Sequence, residues 1–228
     1  MSGNPPLRIG IFDSGLGGLS VRAALQQQLP DASLLYVADS GFAPYGNKSA
    51  DYVIERSRHI ARFLLQQRVD ALVIACNTAT AAAATTLRAE ISLPVIAMEP
   101  GLKPAITASK NGIIAVLATQ GTLASQQFSH LRERFASGVT VLDVPCPGWV
   151  ELVEEGLHET DMAKQKVAAT LAPVLAAGAD TLVLGCTHFP FLRNALRAAC
   201  GAHITLIETA QAVAQQTAKR LAYQPGMA

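Results

Sequence analysis

The sequence is short of aromatic side chains, long apolar runs, clustered cysteines and any excess of one charge, and each shortage excludes something. Phe, Trp and Tyr make up 5% of the 228 residues, while alanine is abundant, so a core has to be built mainly from aliphatic side chains. The apolar runs are about five to seven residues long, far below the ~20 that a helix needs to cross a bilayer. With 18 basic and 17 acidic residues, a net charge of +1 and no basic block, the chain has no electrostatic footprint for nucleic acid or an anionic membrane surface. The opening Met1-Ser2-Gly3-Asn4-Pro5-Pro6 is polar and broken by proline, without the apolar stretch of a secretory signal, so a cytoplasmic location is expected. Neither C-x-x-C nor H-E-x-x-H occurs, so no zinc or other metal site is expected. The four cysteines, Cys76, Cys146, Cys186 and Cys200, are widely spaced and read as free thiols rather than a disulfide framework.

What is present is a regular alternation. Half of the residues are apolar and 15% are charged, the balance of a globular chain. Short aliphatic runs, at Arg8–Phe12, Leu34–Ala38, Ala71–Ala75, Val95–Met98, Ile113–Ala118, Val139–Val144, Thr181–Gly185 and Ile204–Ile207, read as strands buried on both faces, as in a parallel sheet covered by helices. Between them Leu19–Leu29, Asp51–Gln67, Thr80–Glu90, Leu123–Phe135, Asp161–Ala177, Phe191–Ala199 and Ala210–Leu221 read as helices, which together indicate an α/β fold. The pattern also repeats. Ile9-Gly10-Ile11-Phe12-Asp13-Ser14-Gly15 has a counterpart in Ala115-Val116-Leu117-Ala118-Thr119-Gln120-Gly121, and Leu72-Val73-Ile74-Ala75-Cys76-Asn77-Thr78 in Leu182-Val183-Leu184-Gly185-Cys186-Thr187-His188. The similar spacing within each half suggests an internal duplication: two α/β halves facing each other across a cleft, with a boundary at the Glu99-Pro100-Gly101 turn.

Cys76 and Cys186 each close an apolar strand, the end of an open parallel sheet where ligands bind. A helix starting there offers N–H groups and a positive dipole end that favour a thiolate. A single such cysteine reads more simply as a small buried hydrophobe; two in repeated contexts point to chemistry. A thiol on each side of a substrate carbon suits proton removal from one face and return to the other, without a cofactor. His188, two residues beyond Cys186, either tunes that thiol, holds substrate or is structural. The loop Asp13-Ser14-Gly15-Leu16-Gly17-Gly18 is either a close approach to an anion or a tight turn, and it is not a dinucleotide fingerprint, since Ser20 replaces the third glycine. Tyr45 and Gly46, in the Pro/Gly loop of residues 39–49, are within reach of a ligand on the same reading. Trp149 with Glu151, Glu154 and Glu155 reads as an acidic helix start, a solvated face on general grounds. Cys146 and Cys200 read as structural.

The motifs Phe12-Asp13-Ser14-Gly15-Leu16-Gly17-Gly18-Leu19-Ser20-Val21, Ala38-Asp39 with Pro44-Tyr45-Gly46, Ala75-Cys76-Asn77-Thr78-Ala79, Glu99-Pro100-Gly101, Cys146-Pro147 with Leu152-Val153-Glu154-Glu155-Gly156, and Leu184-Gly185-Cys186-Thr187-His188-Phe189-Pro190 occur in one order and together resemble the glutamate racemases of the aspartate/glutamate racemase superfamily. The resemblance covers nearly the whole chain. It departs at Ile207-Glu208-Thr209-Ala210, where the family usually has Asp followed by a small residue.

The resemblance implies two similar three-layer α/β domains with mainly parallel sheets, related by a pseudo-two-fold axis, with the active site in the cleft between them. The domains would be 1–98 with 208–228, the last helix (about Thr209 to Tyr223) returning to the first domain, and 99–207. It implies an isomerase interconverting L- and D-glutamate for peptidoglycan synthesis, with no cofactor and no metal. Cys76 would deprotonate the D-enantiomer and Cys186 the L-enantiomer. Asp13, His188 and Glu154 would assist, and Asp13, Ser14, Tyr45, Gly46, Asn77, Thr78, Thr187 and His188 would bind substrate. A homodimer is common in the family. An aspartate racemase, a relative acting on another carbon acid such as a hydantoin, and a non-enzymatic amino-acid-binding protein are the rival readings.

Overall fold

The structure is a computed structural model that describes residues 6–222. The polar opening at Met1–Pro5 and the far end of the last expected helix, at Tyr223, lie outside the described residues. In chain order the elements begin with β1 (Arg8–Asp13), α1 (Leu19–Gln28), β2 (Ser33–Ala38), α2 (Ala50–Gln66), β3 (Ala71–Ile74), α3 (Asn77–Glu90) and β4 (Val95–Ala97). They continue with α4 (Leu102–Ala108), β5 (Ile113–Ala118), α5 (Gln120–Leu123), α6 (Gln126–Phe135), β6 (Thr140–Pro145), α7 (Trp149–Glu154), α8 (Asp161–Ala176), β7 (Thr181–Leu184), α9 (Arg193–Cys200), β8 (Thr205–Ile207) and α10 (Ala210–Arg220). Two compact units result. One holds the described residues up to Met98 and from Ala210 onward, and the other is Glu99–Thr209.

Each unit contains a four-stranded parallel sheet, ordered β2-β1-β3-β4 in the first and β6-β5-β7-β8 in the second. The two orders are the same permutation, so the repeat in the sequence is a repeat of topology. Side chains alternate between the faces along each strand, and each face has its own core. In the first unit Phe12, Leu72 and Ile74 pack beneath α2 and α3, while Ile9, Ile11, Ala71 and Val73 pack beneath α1 and α10. In the second, Leu117, Leu182 and Leu184 meet α7, α8 and α9, and Ile114, Val116 and Val183 meet α4 and α6. These are the three layers expected of the fold, and the cores are aliphatic as the composition requires.

Several local readings need correction. Burial on both faces holds for the inner strands β3 and β7, every residue of which is buried, but β2 and β6 are edge strands with half-buried and exposed positions. The helix expected over Leu123–Phe135 is broken, because Ser125 breaks away from the helical run and caps α6, its Oγ accepting from Phe128 N at 3.1 Å. The helix expected from Phe191 opens instead as a 3-10 turn at Phe189–Leu192, with α9 starting at Arg193. The helix expected from Thr80 begins a turn earlier, at Asn77. Helix α4 was not anticipated: its Lys-Pro start reads as loop, but proline is tolerated in a first turn, where the N–H has no helical partner.

Outside the site, one side chain ties the second unit together. Asp180, just before β7, accepts from Ser109 Oγ (2.7 Å), Lys110 N (2.7 Å), Asn111 N (3.0 Å) and Thr181 Oγ1 (2.8 Å). Burial pushes its carboxyl upward, but the bonds from Ser109, Asn111, Lys110 and Thr181 outweigh this and hold it at about 2. A folded-state value below the free carboxylate's contributes stability above about pH 4 that is lost as pH falls toward 2. Asp180→Asn should therefore lower the urea midpoint at neutral pH, by about 1–2 kcal/mol at this partly solvated position. Denaturation curves at descending pH should show the gap to the wild type closing between pH 4 and pH 2.

Candidate active site

The first cluster forms where β3 ends. Backbone pairing with β1 continues one residue past the strand, with Ala75 N donating to Phe12 O at 2.8 Å, which fixes Cys76 at the sheet's carboxyl end. Cys76 keeps an extended conformation and caps α3, its Sγ accepting from Ala79 N at 3.4 Å. A sulfur in that place meets a free helical N–H and the positive end of a fourteen-residue helix, both of which favour its anion. The thiol also reaches Ser14 Oγ at 3.7 Å, and Ser14 Oγ reaches Asp13 Oδ1 at 3.2 Å. The chain Cys76–Ser14–Asp13 is buried throughout.

The glycine-rich loop turns back on this carboxylate. Asp13 accepts from its neighbour Ser14 N at 2.6 Å and from Gly18 N. A Cβ on Gly18 would stand 2.8 Å from Asp13 Cβ and 2.9 Å from Tyr36 Oη, so the closeness of the turn requires glycine there. The anion met by the loop N–H groups is thus the protein's own side chain, at the start of α1.

Tyr45 belongs to the same core as Cys76 and is 1% exposed. Its hydroxyl donates to Asp39 Oδ2 at 2.5 Å, and Arg56 grips the same carboxylate with Nε at 3.0 Å and Nη2 at 2.7 Å. Burial first, then the bond to Asp39, raises the phenol well above its ordinary value, so it remains a donor. Gly46 follows in the same 3-10 turn, Tyr45–Asn47. Asn77 and Thr78 open α3 and are buried. Both polar atoms of the Asn77 side chain, Nδ2 and Oδ1, lack a hydrogen-bond partner among the described residues. A buried amide in that condition costs about 1–3 kcal/mol, which a ligand carrying both donors and acceptors would recover.

The second cluster forms where β7 ends. Gly185 N donates to Leu117 O at 2.8 Å, and Cys186 follows. No helix begins there, only a turn, so the dipole available to Cys76 has no equivalent. An imidazole stands in its place. His188 Nδ1 lies 3.7 Å from Cys186 Sγ and 3.5 Å from Thr187 Oγ1, and His188 Nε2 lies 2.5 Å from Glu154 Oε1. With the carboxylate holding the proton on Nε2, Nδ1 is left to accept from the thiol. Glu154 is the last residue of α7, and that helix is locked to the His188 segment by the edge-on contact of Trp149 with Phe189, centroids 4.9 Å apart. Glu154, which the residue pattern alone reads as solvated, is an internal partner of His188.

Cys146 and Cys200 are buried thiols outside the two clusters' hydrogen-bond chains. Cys146 donates to Val144 O at 3.3 Å, and burial, with a contribution from Cys186, pushes its thiol far above the usual range. Burial raises Cys200 as well. Among the described residues no group of three or more His, Cys, Asp or Glu side chains is arranged to hold a metal ion. Thr119, the counterpart of Asp13, uses its hydroxyl to cap α5, accepting from Thr122 N at 3.2 Å, so the halves share topology but not side-chain chemistry. The Asp39–Arg56 pair was missed by sequence reasoning, since seventeen positions separate the two residues and nothing local marks them as partners.

Two similar units, each with a thiol at the end of an inner parallel strand and a carboxylate behind it, define a class. The family model for Asp/Glu/hydantoin racemases matches residues 19–217. The glutamate racemase of Methylococcus capsulatus strain Bath is 51% identical over 213 residues, 93% of this chain and 79% of that protein. Among solved structures, glutamate racemase isoform RacE1 of Bacillus anthracis matches with a TM-score of 0.87 at 35% identity, over 99% of this chain and 85% of that one. Escherichia coli glutamate racemase, in complex with L-glutamate and the activator UDP-MurNAc-ala, matches with 0.88 at 35% identity, over 96% and 84%. The chain belongs to the Asp/Glu/hydantoin racemase family and is an isomerase.

The approach to Cys186 gives a direct test of its placement. A Cβ on Gly185 would lie 2.9 Å from Leu117 O, a backbone atom that cannot swing aside. Gly185→Ala should cost about 1–3 kcal/mol in urea unfolding and displace Cys186 from His188, which a crystal structure of the variant would register.

Proposed function

We propose that the protein is a glutamate racemase that interconverts L- and D-glutamate without a cofactor, with Cys76 and Cys186 as its two acid/base groups, and that it supplies D-glutamate for peptidoglycan. The observation that carries this reading is the pair of thiol relays, Cys76–Ser14–Asp13 and Cys186–His188–Glu154, set at the same point of two repeated sheets. Glutamate rather than aspartate is supported by the naming of relatives at about half identity as glutamate racemases. The family's aspartate racemases would use the same thiol pair, and a substrate panel separates the two.

The mechanism follows from the asymmetry of the relays. Cys76 takes the Cα proton of the D-enantiomer as a thiolate, favoured by the N-terminus of α3. Cys186 then delivers its thiol proton to the opposite face. Before the next turnover the Cys186 thiolate regains a proton from solvent and the Cys76 thiol returns one to solvent, while His188, held by Glu154, stays oriented on the Cys186 sulfur. From the L-enantiomer the roles reverse. Asn77, whose amide lacks partners, together with Thr78, Ser14, Tyr45, Gly46, Thr187 and His188, holds the carboxylates and amine of the substrate. Asp13 and Glu154 bias the protons of their relays rather than touch Cα. Because enantiomers have equal free energies, kcat/KM must be equal in both directions, so damage to either relay lowers both equally.

Purified protein should convert either enantiomer of glutamate to the racemate, followed by circular dichroism, with nothing added. Cys76→Ala and Cys186→Ala should each lower the rate by about 10²–10⁴-fold or more; full turnover in either variant would refute the two-base assignment, and failure of the wild type on glutamate alongside rapid turnover of aspartate would refute the substrate. Glu154→Gln keeps the size of the side chain but not its charge. It should slow turnover by about tenfold to a hundredfold, measured as kcat from either enantiomer.

A further inference from the structure

The network around Asp39 is larger than the placement of one tyrosine needs. Asp39 follows β2 and is 7% exposed. Its backbone N donates to Asp13 O at 3.0 Å, and its carboxylate takes three donors, one from Tyr45 and two from Arg56. Arg56 comes from α2 and its guanidinium also lies over the Phe42 ring, 3.5 Å from the centroid. Phe42 closes the first of two short 3-10 turns and Tyr45 opens the second, so both ends of this loop are gripped by one cation. The second turn packs on α3, the helix that Cys76 caps. Arg56 is thus linked to α3 through Asp39 and the Tyr45 turn, and it separately holds Phe42 at the near end of the same loop.

We propose that Arg56 is a positioning residue for the Cys76 half of the reaction, holding the Asp39 carboxylate and, through it, the Tyr45 hydroxyl and the Tyr45–Asn47 turn against the start of α3. A planar, permanently charged fork suits a buried carboxylate that must also accept from a phenol. A lysine would supply the charge but not the two parallel bonds. Without the cation, Asp39 becomes an uncompensated buried carboxylate, and the turn loses its hold on the loop. Nothing in the second unit plays this part for Cys186, where His188 and Glu154 come directly from the turn and from α7. The inference rests on the racemase reading for its kinetic consequence but not for its structural one.

The test uses the full chain as wild type, Arg56→Lys, Arg56→Ala and Tyr45→Phe, with two readouts. The first is the deuterium isotope effect on turnover of D- and L-glutamate labelled at Cα. The second is the rate at which iodoacetamide modifies Cys76 and Cys186 at one fixed pH, resolved by peptide mass spectrometry. In Arg56→Ala, kcat should fall by about tenfold, the scale of a lost buried hydrogen bond to a charged group. The isotope effect should rise for the enantiomer deprotonated at Cys76 and not for the other. Cys76 should be alkylated faster while Cys186 keeps its wild-type rate, and Arg56→Lys should recover part of each change. Should Arg56→Ala fail to fold, Tyr45→Phe, which removes only the hydroxyl, carries the same expectations. Unchanged Cys76 alkylation and isotope effects in folded variants, or parallel changes at both cysteines, would overturn the proposal. A wild type that does not racemise glutamate would overturn the proposed function instead, and the alkylation rates would still decide the role of Arg56.

Discussion

Each of the two strand-end cysteines, Cys76 and Cys186, is held by the strand that ends just before it, and the cluster around each depends on that attachment. β3 and β7 are the inner strands of their sheets, hydrogen-bonded on both sides and buried at every position. The pairing continues past each strand, through Ala75 N to Phe12 O and Gly185 N to Leu117 O. Backbone groups in such ladders are among the least mobile in a protein, so Cys76 and Cys186 are fixed by elements that carry no chemistry themselves. The aliphatic cores on both sheet faces supply the burial, and the thiols inherit the rigidity.

From that common anchor the two relays diverge for physical reasons. A helix begins at Cys76, so backbone N–H groups and the helix dipole are available to a thiolate, and a hydroxyl and a carboxylate suffice behind it. After Cys186 the chain turns instead of entering a helix, and an imidazole backed by Glu154 occupies the equivalent place. Duplication of a strand–turn unit explains the shared topology. It does not require the two halves to stabilise charge in the same way. Thr119 in the position of Asp13 makes the same point, since Thr119 caps α5 with a hydroxyl while Asp13 binds its own loop and brings a carboxylate near a thiol.

Much of this was legible in the sequence. Short aliphatic runs, apolar on both faces, marked all eight strands to within a residue or so at each end, and the repeated strand-then-cysteine pattern placed both thiols at carboxyl ends. The less legible parts involve contacts between distant residues. Glu154 looks like a solvated carboxylate on a short acidic helix until Trp149 and Phe189 are seen to turn that helix toward His188. Asp13 looks like part of an anion-binding loop until its own carboxylate is seen to fill it. Arg56 and Asp39 carry no local signal, because their pairing depends on how α2 packs against the end of β2. The break at Ser125 was missed because apolar periodicity continued across a residue whose hydroxyl caps a new helix, and the late start of α9 was missed because the apolar run around Pro190 folds first as a 3-10 turn.

The proposed function has one substrate carbon served by two thiols, each on its own face. It is tested most directly by racemisation started from a single enantiomer in deuterated water, following optical activity and the isotopic content of both enantiomers. Two bases predict that the product acquires solvent deuterium while unreacted substrate keeps its protium, and that the optical signal overshoots zero before settling, because the deuterated product returns more slowly. Deuterium appearing in the remaining substrate as fast as in the product, with a monotonic decay to zero, would mean that one group serves both faces and would contradict the account.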